Sequence, residues 1–308
     1  MKKILVTCPP MLGLKEQFIP LLEKSGYVAV CPNFTQVMTE EALIEILPEC
    51  DGWIIGDDPA TRKVFEAGKK GRLKAAVKWG IGVDNVDFVA CKDLGIPITN
   101  TPGMFGAEVS DVALAYLLGL ARETYYIDRE IRNGRWPKNQ GVSLTGKTVG
   151  IVGYGDIGRN TTSRIQAFGM NTIVYDPGVT YVDTNSELKQ WPDAIEKCDF
   201  IVFTCALTDK NRYMLNKEIL MNTKHGVSII NVARGPLINE GDLIDFLKSG
   251  HVKAAALDVF EIEPLPMDSF LRDYPLVILG SHNSSNTQEA VERTNILAIE
   301  NLISFLND

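Results

Sequence analysis

The sequence predicts an α/β fold made of two doubly wound parallel sheets. Three observations predict it. Short apolar runs recur along the chain, and they are continuous rather than alternating, as for strands buried on both faces. Helical patterns fill the intervals, which is the spacing of βαβ units. The chain has 308 residues, enough for two domains that each bury a core.

The elements follow in order. The first group of strand-like runs is KKILVTC (2–8), YVAVC (27–31), GWIIG (52–56), AAVKWG (75–80) and IPITN (96–100). A long helical pattern from about 107 to 133 separates it from a second group and stops near Asn133 and Gly134. The second group is KTVGIVG (147–153), NTIVYD (171–176), FIVFTC (200–205), VSIINVA (227–233), AAALDVF (254–260) and LVILGS (276–281). A last helix covers roughly 287–306. The two units are therefore unlike, with about five and six strands.

Composition narrows the function classes. Hydrophobic residues make up 45% and charged residues 23%, a soluble globular profile. A net charge of −8 lacks the basic footprint of a nucleic-acid binder. The N-terminal apolar run is broken by Pro9 and Pro10, so it reads as a first strand and not a signal peptide. The longest apolar stretch, VALAYLLGLA (112–121), is too short for a bilayer span. Six cysteines form no CxxC pair and no zinc-like cluster, so no metal is expected. They read as reduced thiols of a cytoplasmic protein.

The stretch KTVGIVGYGDIGRN (147–160) places Gly153, Gly155 and Gly158 in a GxGxxG pattern between a strand and a helix. The glycines permit a tight turn, close approach of a pyrophosphate and close helix–strand packing. The amides of Asp156 and Ile157 open the helix toward phosphates. The next strand ends in Asp176, which can accept both ribose hydroxyls. No Arg or Lys lies between 177 and 188 to attract a 2′-phosphate, which favours NAD over NADP. A plain glycine-rich turn, or a site for S-adenosylmethionine, fits the same residues.

Ligands of open α/β sheets bind beyond the carboxyl ends of the strands. In the second group those ends carry the glycine loop, Asp176, then Cys205 and Ala206, then Arg234, then Asp258 with Glu261 and Glu263, and finally His282. His282 is one of three histidines; His225 and His251 lie at the amino ends of strands and read as structural. Removing a hydride and a proton from a secondary alcohol needs a base, and an imidazole titrates in the right range. A carboxylate such as Glu263 would orient it. An arginine fork such as Arg234 pairs with a substrate carboxylate and polarises the neighbouring carbonyl. This set needs no metal. In the first group, KWGIGVDNVD (78–87) offers alternating glycines, Gly80 and Gly82, with the amides of Ile81 and Val83 as a carboxylate nest. A plain turn with Asp84 as a helix N-cap is the competing reading. Lys78, before this turn, and Lys138 are candidates to meet a substrate phosphate, or else are solvated surface lysines.

Taken together, WGIGVDNVD, NTPG (100–103), LTGKTVGIVGYGDIGR (144–159), INVARGPLINEGDL (230–243), AAALDVFEIEP and SHNSSNTQEA (281–290) resemble the D-isomer-specific 2-hydroxyacid dehydrogenases, nearest their D-3-phosphoglycerate dehydrogenase branch. The resemblance implies a flavodoxin-like substrate domain, residues 1–98 and 283–308, around a Rossmann NAD-binding domain, residues 99–282. It implies a homodimer built on the 107–133 arm, a cleft that closes, and a small 2-hydroxy or 2-oxo acid substrate. That acid would be D-3-phosphoglycerate in serine biosynthesis, or glycerate/hydroxypyruvate, glyoxylate or a lactate-like acid. It also implies that Asp258 contacts the nicotinamide carboxamide and that Val232 and Ala233 line the ring. Departures are Ala206 in place of a proline, the segment PGMFGAEVSD (102–111), and Asn283 and Ser284 after His282, whose polar groups would alter nicotinamide contacts. The chain end at Asp308 leaves no room for a carboxyl-terminal regulatory domain. Relatives of this fold that act as NAD(H)-sensing co-repressors offer a second function class, and a hydrolase of an adenosine ligand a third.

Overall fold

The computed structural model describes residues 2–182 and 185–307; the chain-end expectation at Asp308 falls outside them. In chain order the elements are β1 (Lys2–Val6), α1 (Pro9–Leu12), α2 (Lys15–Lys24), β2 (Tyr27–Val30), α3 (Glu40–Ile46), β3 (Gly52–Ile55), α4 (Arg62–Lys70), β4 (Ala75–Lys78), α5 (Phe88–Leu94), β5 (Ile98–Asn100), α6 (Gly106–Arg122) and α7 (Thr124–Arg132). There follow β6 (Thr148–Val152), α8 (Asp156–Gln166), β7 (Asn171–Tyr175), β8 (Ser186–Lys189), β9 (Phe200–Phe203), α9 (Lys217–Asn222), β10 (Val227–Asn231), α10 (Glu240–Lys248), β11 (Val252–Leu257), β12 (Val277–Leu279) and α11 (Gln288–Asn307).

These elements form two compact units, Met1–Met104 with Asn286–Asp308, and Phe105–Ser285. The chain crosses between them at 104/105 and 285/286, slightly later than the expected 98/99 and 282/283. The turn after β5 stays with the first unit because Gly80 donates its amide to Thr101 Oγ1 at 2.7 Å and Thr101 returns its amide to Gly80 O at 3.2 Å.

The first unit is a five-stranded parallel sheet in the order β2-β1-β3-β4-β5, the flavodoxin-like arrangement. One face is covered by α3, α4 and α5 around Trp53, Phe65, Leu43 and Leu47, all fully buried. The other receives α11, whose Leu302 packs where a Cβ on Gly52 would lie, 3.1 Å away. Trp79 Nε1 donates to Asn295 Oδ1 at 2.8 Å and fixes that helix in register.

The second unit is a seven-stranded parallel sheet in the order β12-β11-β10-β9-β6-β7-β8, a Rossmann sheet whose order reverses at β6 and β9. One of its strands was not expected. Ser186–Lys189 reads SELK and is half exposed, yet it pairs with β7 over four residues, Thr172 with Ser186 through Tyr175 with Lys189. An edge strand with polar side chains leaves no apolar signature. The expected helix 107–133 also divides in two. Glu123 turns left-handed at φ 55, and its carboxylate leaves the helix line to accept from Asn139 Nδ2 at 2.6 Å and pair with Lys253 Nζ at 2.9 Å. Among the described residues no helix is long and apolar enough to cross a membrane.

Candidate active site

The three glycines of the β6–α8 turn each answer a different steric demand. Gly153 sits at φ 98, and a Cβ there would meet the Cys205 backbone at 2.6 Å. A Cβ on Gly158 would collide with the Gly153 carbonyl, so this position sets how closely α8 approaches β6. Around Gly155 there is open space. That gap, facing the first-turn amides of α8 at Asp156 and Ile157, fits a dinucleotide pyrophosphate. Asp176, just past β7, is drawn onto the same loop: its Oδ2 accepts from Tyr154 N at 2.6 Å and its Oδ1 from Gly178 N at 2.8 Å. The residues present therefore fit NAD. Thr204, which follows β9 directly, carries no motif that marks it in the sequence. Its hydroxyl donates to Gly153 O at 2.8 Å and pins the turn. Cys205 is half-buried, and burial pushes its thiol up to about 12, so it stays protonated at neutral pH. Ala206 O accepts from Asn211 Nδ2 at 2.8 Å.

The other end of the rim is formed by β10, β11 and β12, which lie side by side. Asn231 closes β10. Its Oδ1 accepts from Ala233 N at 3.0 Å and its Nδ2 donates to Arg234 O at 2.9 Å, which fixes the turn carrying Val232, Ala233 and Arg234. The Arg234 guanidinium donates to Ala233 O at 2.8 Å. The next residue, Gly235, packs directly on the Phe260 carbonyl carbon, a place where no side chain fits. The loop of Arg234 thus lies against the loop of Glu263. Glu263 Oε1 accepts from Phe260 N at 3.0 Å, and its Oε2 is 2.7 Å from His282 Nδ1. Both side chains are about one-fifth to one-quarter exposed, at 21% for His282 and 24% for Glu263.

Asp258, at the tip of β11, is buried. Its oxygens accept from Asn283 N at 3.2 Å and Ser284 N at 2.9 Å, and its carbonyl accepts from His282 N at 2.7 Å. Tyr116 OH on α6 approaches Oδ1 at 3.5 Å, a contact with no signal in the sequence. Burial, then the Asp258 charge, push that phenol up out of its ordinary range. Ser284 is buried on Asp258 through its amide.

The remaining two histidines form a pair at the amino ends of β10 and β11, with ring centroids 5.4 Å apart and His251 Nε2 3.1 Å from Thr223 Oγ1.

In the first unit the Gly80–Val83 turn follows β4. Gly80 has φ 115, and among the described residues no group accepts from the amides of Ile81, Gly82 or Val83. Asp84 is not a helix cap: α5 begins at Phe88, and Asp87 Oδ1 caps it by accepting from Ala90 N at 2.7 Å. Lys78 is not a surface lysine. It is buried, with Nζ 3.1 Å from Asp57 Oδ1 and 2.9 Å from Trp79 O. Lys138 is exposed, 5.6 Å above the Trp136 ring.

A Rossmann turn open at its second glycine, an acid at the following strand tip and a histidine bonded to a carboxylate on the same rim define an NAD-binding α/β oxidoreductase. Comparison with known proteins agrees. Residues 114–284 match the model of the D-isomer specific 2-hydroxyacid dehydrogenase, NAD binding domain. The chain is 35% identical over 275 residues to a hydroxypyruvate reductase of Thermotoga maritima, covering 87% of this chain and 89% of that one. It is 35% identical to a D-3-phosphoglycerate dehydrogenase of Methanocaldococcus jannaschii, covering 98% of this chain but 57% of that one. The TT0316 protein of Thermus thermophilus superposes with a TM-score of 0.89 at 29% identity, over 99% and 97% of the two chains. The chain belongs to the D-isomer specific 2-hydroxyacid dehydrogenase family, and its cofactor is NAD.

Proposed function

We propose that the protein interconverts a D-2-hydroxy acid and the corresponding 2-oxo acid, with His282 as acid and base. The observation that carries this reading is the 2.7 Å contact of His282 Nδ1 with Glu263 Oε2. Glu263 accepts there, so the proton sits on Nδ1 and Nε2 is left to exchange a proton with the substrate oxygen. The carboxylate also stabilises the imidazolium that forms when a hydroxyl is deprotonated. Arg234 holds the substrate carboxylate with its planar fork and polarises the adjacent carbonyl. Within the first unit, the amides of Ile81 and Val83, on a turn kept open by Gly80 and Gly82, form an anion nest of their own. Gly153, Gly155, Gly158, Asp156, Ile157 and Asp176 hold the cofactor by phosphate and ribose, Cys205 and Ala206 border it beside the glycine turn, and Val232, Ala233 and Ser284 belong with its ring end. When bound, the nicotinamide carries the hydride.

The assembly we assign is a homodimer on the α6–α7 arm of the second unit, where Tyr125, Ile131 and Trp136 are exposed. Six free thiols suit a reducing, cytoplasmic setting.

Purified protein, NADH and a panel of 2-oxo acids followed by absorbance test the reading. His282→Ala should lower turnover by about 100-fold or more while NADH still binds. Unchanged turnover would remove His282 from the chemistry.

A further inference from the structure

Resting on that reading, we propose that Tyr213 is a positioning residue for the reaction, whose phenol holds the loop of Glu263 in register with the loop of Arg234. β9, β10 and β11 lie side by side in the second unit. The loops that follow them carry Cys205 and Ala206, then Arg234, then Glu263. The first two loops are joined through the backbone. Tyr213 N donates to Pro236 O at 2.8 Å, Leu215 N to Leu237 O at 3.1 Å and Asn239 N to Leu215 O at 2.9 Å. The third loop has no share in that ladder. Beyond the close packing of Gly235 on Phe260, it is tied on by Glu261. Glu261 Oε2 accepts from Tyr213 OH at 2.8 Å, and Oε1 accepts from Glu240 N, at the start of α10, at 2.6 Å. Glu261 N donates in turn to Glu240 Oε2 at 3.3 Å.

The conformation of Tyr213 serves this contact. Its backbone is left-handed at φ 55, where a glycine would be free and a tyrosine is strained. The bond to Pro236 holds it there, together with Asn216 Nδ2, which donates to the Tyr213 carbonyl at 3.2 Å. So held, the half-buried side chain delivers its hydroxyl to a carboxylate 48 residues away. The hydrogen bond to Glu261, and then the Glu261 charge, push the phenol above its ordinary range. It therefore stays a donor wherever an imidazole titrates. Glu263 moves with Glu261. Its Oε1 accepts from Phe260 N at 3.0 Å, so residues 260–263 close on themselves and turn as one piece. The Glu261 anchor thus sets where Glu263 Oε2 meets His282 Nδ1. Tyr213 acts through these two carboxylates and not on the substrate.

The test measures kcat, KM and the NADH dissociation constant of the wild type, Tyr213→Phe, Glu261→Gln and the double variant. The oxidants are glyoxylate, pyruvate, hydroxypyruvate and 3-phosphohydroxypyruvate, and melting curves confirm that each variant is folded. Tyr213→Phe keeps the ring and removes only the hydroxyl. It should lower kcat about tenfold, because a small displacement of Glu263 carries to His282. KM should change less than about threefold and NADH affinity less than about twofold, because the backbone ladder that holds the Arg234 loop is untouched. Glu261→Gln should lose kcat as well. The double variant should be no more than about twofold worse than the poorer single one, since both changes act on one bond. Wild-type kcat in Tyr213→Phe overturns the inference and leaves the dehydrogenase reading standing. So does a loss confined to KM or to NADH affinity, or a double variant in which the two losses multiply. Silence of the wild type with all four acids, with NADH bound, overturns the dehydrogenase reading and the inference with it.

Discussion

At His282 the backbone turns left-handed, φ 54, a conformation that costs a non-glycine residue roughly 1–2 kcal/mol. Three hydrogen bonds to Asp258 hold it there, from the amides of His282, Asn283 and Ser284. This suggests that Asp258 acts on His282 as much as on any cofactor. The two roles separate experimentally. Asp258→Asn puts an amide group against backbone donors and should loosen the loop, lowering kcat about 10- to 100-fold with a smaller change in the NADH dissociation constant. A loss confined to NADH affinity would instead point to a contact with the carboxamide. The sequence singled out Arg234, Glu263 and His282 because each lies within three residues of the end of a strand-like run. It could not show that Asp258 is spent on the amides behind His282, since a carboxylate's partners are chosen by tertiary packing. Lys78 is the same case. Its partner, Asp57, is 21 residues away on a neighbouring strand tip.

At the scale of elements, the strands buried on both faces announced themselves as apolar runs, and β8 did not. Paired with β7 alone, it needs no apolar face. The long helical pattern was legible as helix but its break was not, because the break rests on Lys253 and Asn139, remote in sequence. Glu123 is the joint between α6 and α7. Burial alone would raise its pKa, yet the hydrogen bonds from Asn139 and Lys253 and the Lys253 charge carry it below the usual glutamate range. A depressed carboxyl contributes stability above its unfolded pKa and loses it as pH falls through the folded value. Glu123→Gln should therefore lower stability by about 1 kcal/mol at pH 7, or ~2–4 °C in Tm. The gap to the wild type should close as the pH drops below about 4. Melting curves at pH 7 and below that point check this, and a difference that persists in acid would assign the effect to shape and not charge.

For the whole molecule, the order of the chain and the order of the units disagree, because α11 returns to the first unit after the second is complete. The apolar faces explain the consequence. The first unit's sheet leaves β3 and β4 uncovered on one side until Ala290, Val291, Ala298 and Leu302 of α11 pack there, all of them buried. The second unit has its own core on both sides of its sheet, with Phe203, Ile229 and Leu243 fully buried and α6 against β10 and β11. It also carries the whole glycine turn and Asp176. A fragment of residues 105–285 should fold alone, melt cooperatively and bind NADH, whereas residues 1–104 without α11 should expose that apolar face and fail to give a cooperative transition. Thermal melts and NADH fluorescence of the two fragments decide the matter. A cooperative melt of 1–104, or loss of NADH binding by 105–285, would mean that each unit's core depends on contacts different from those named here.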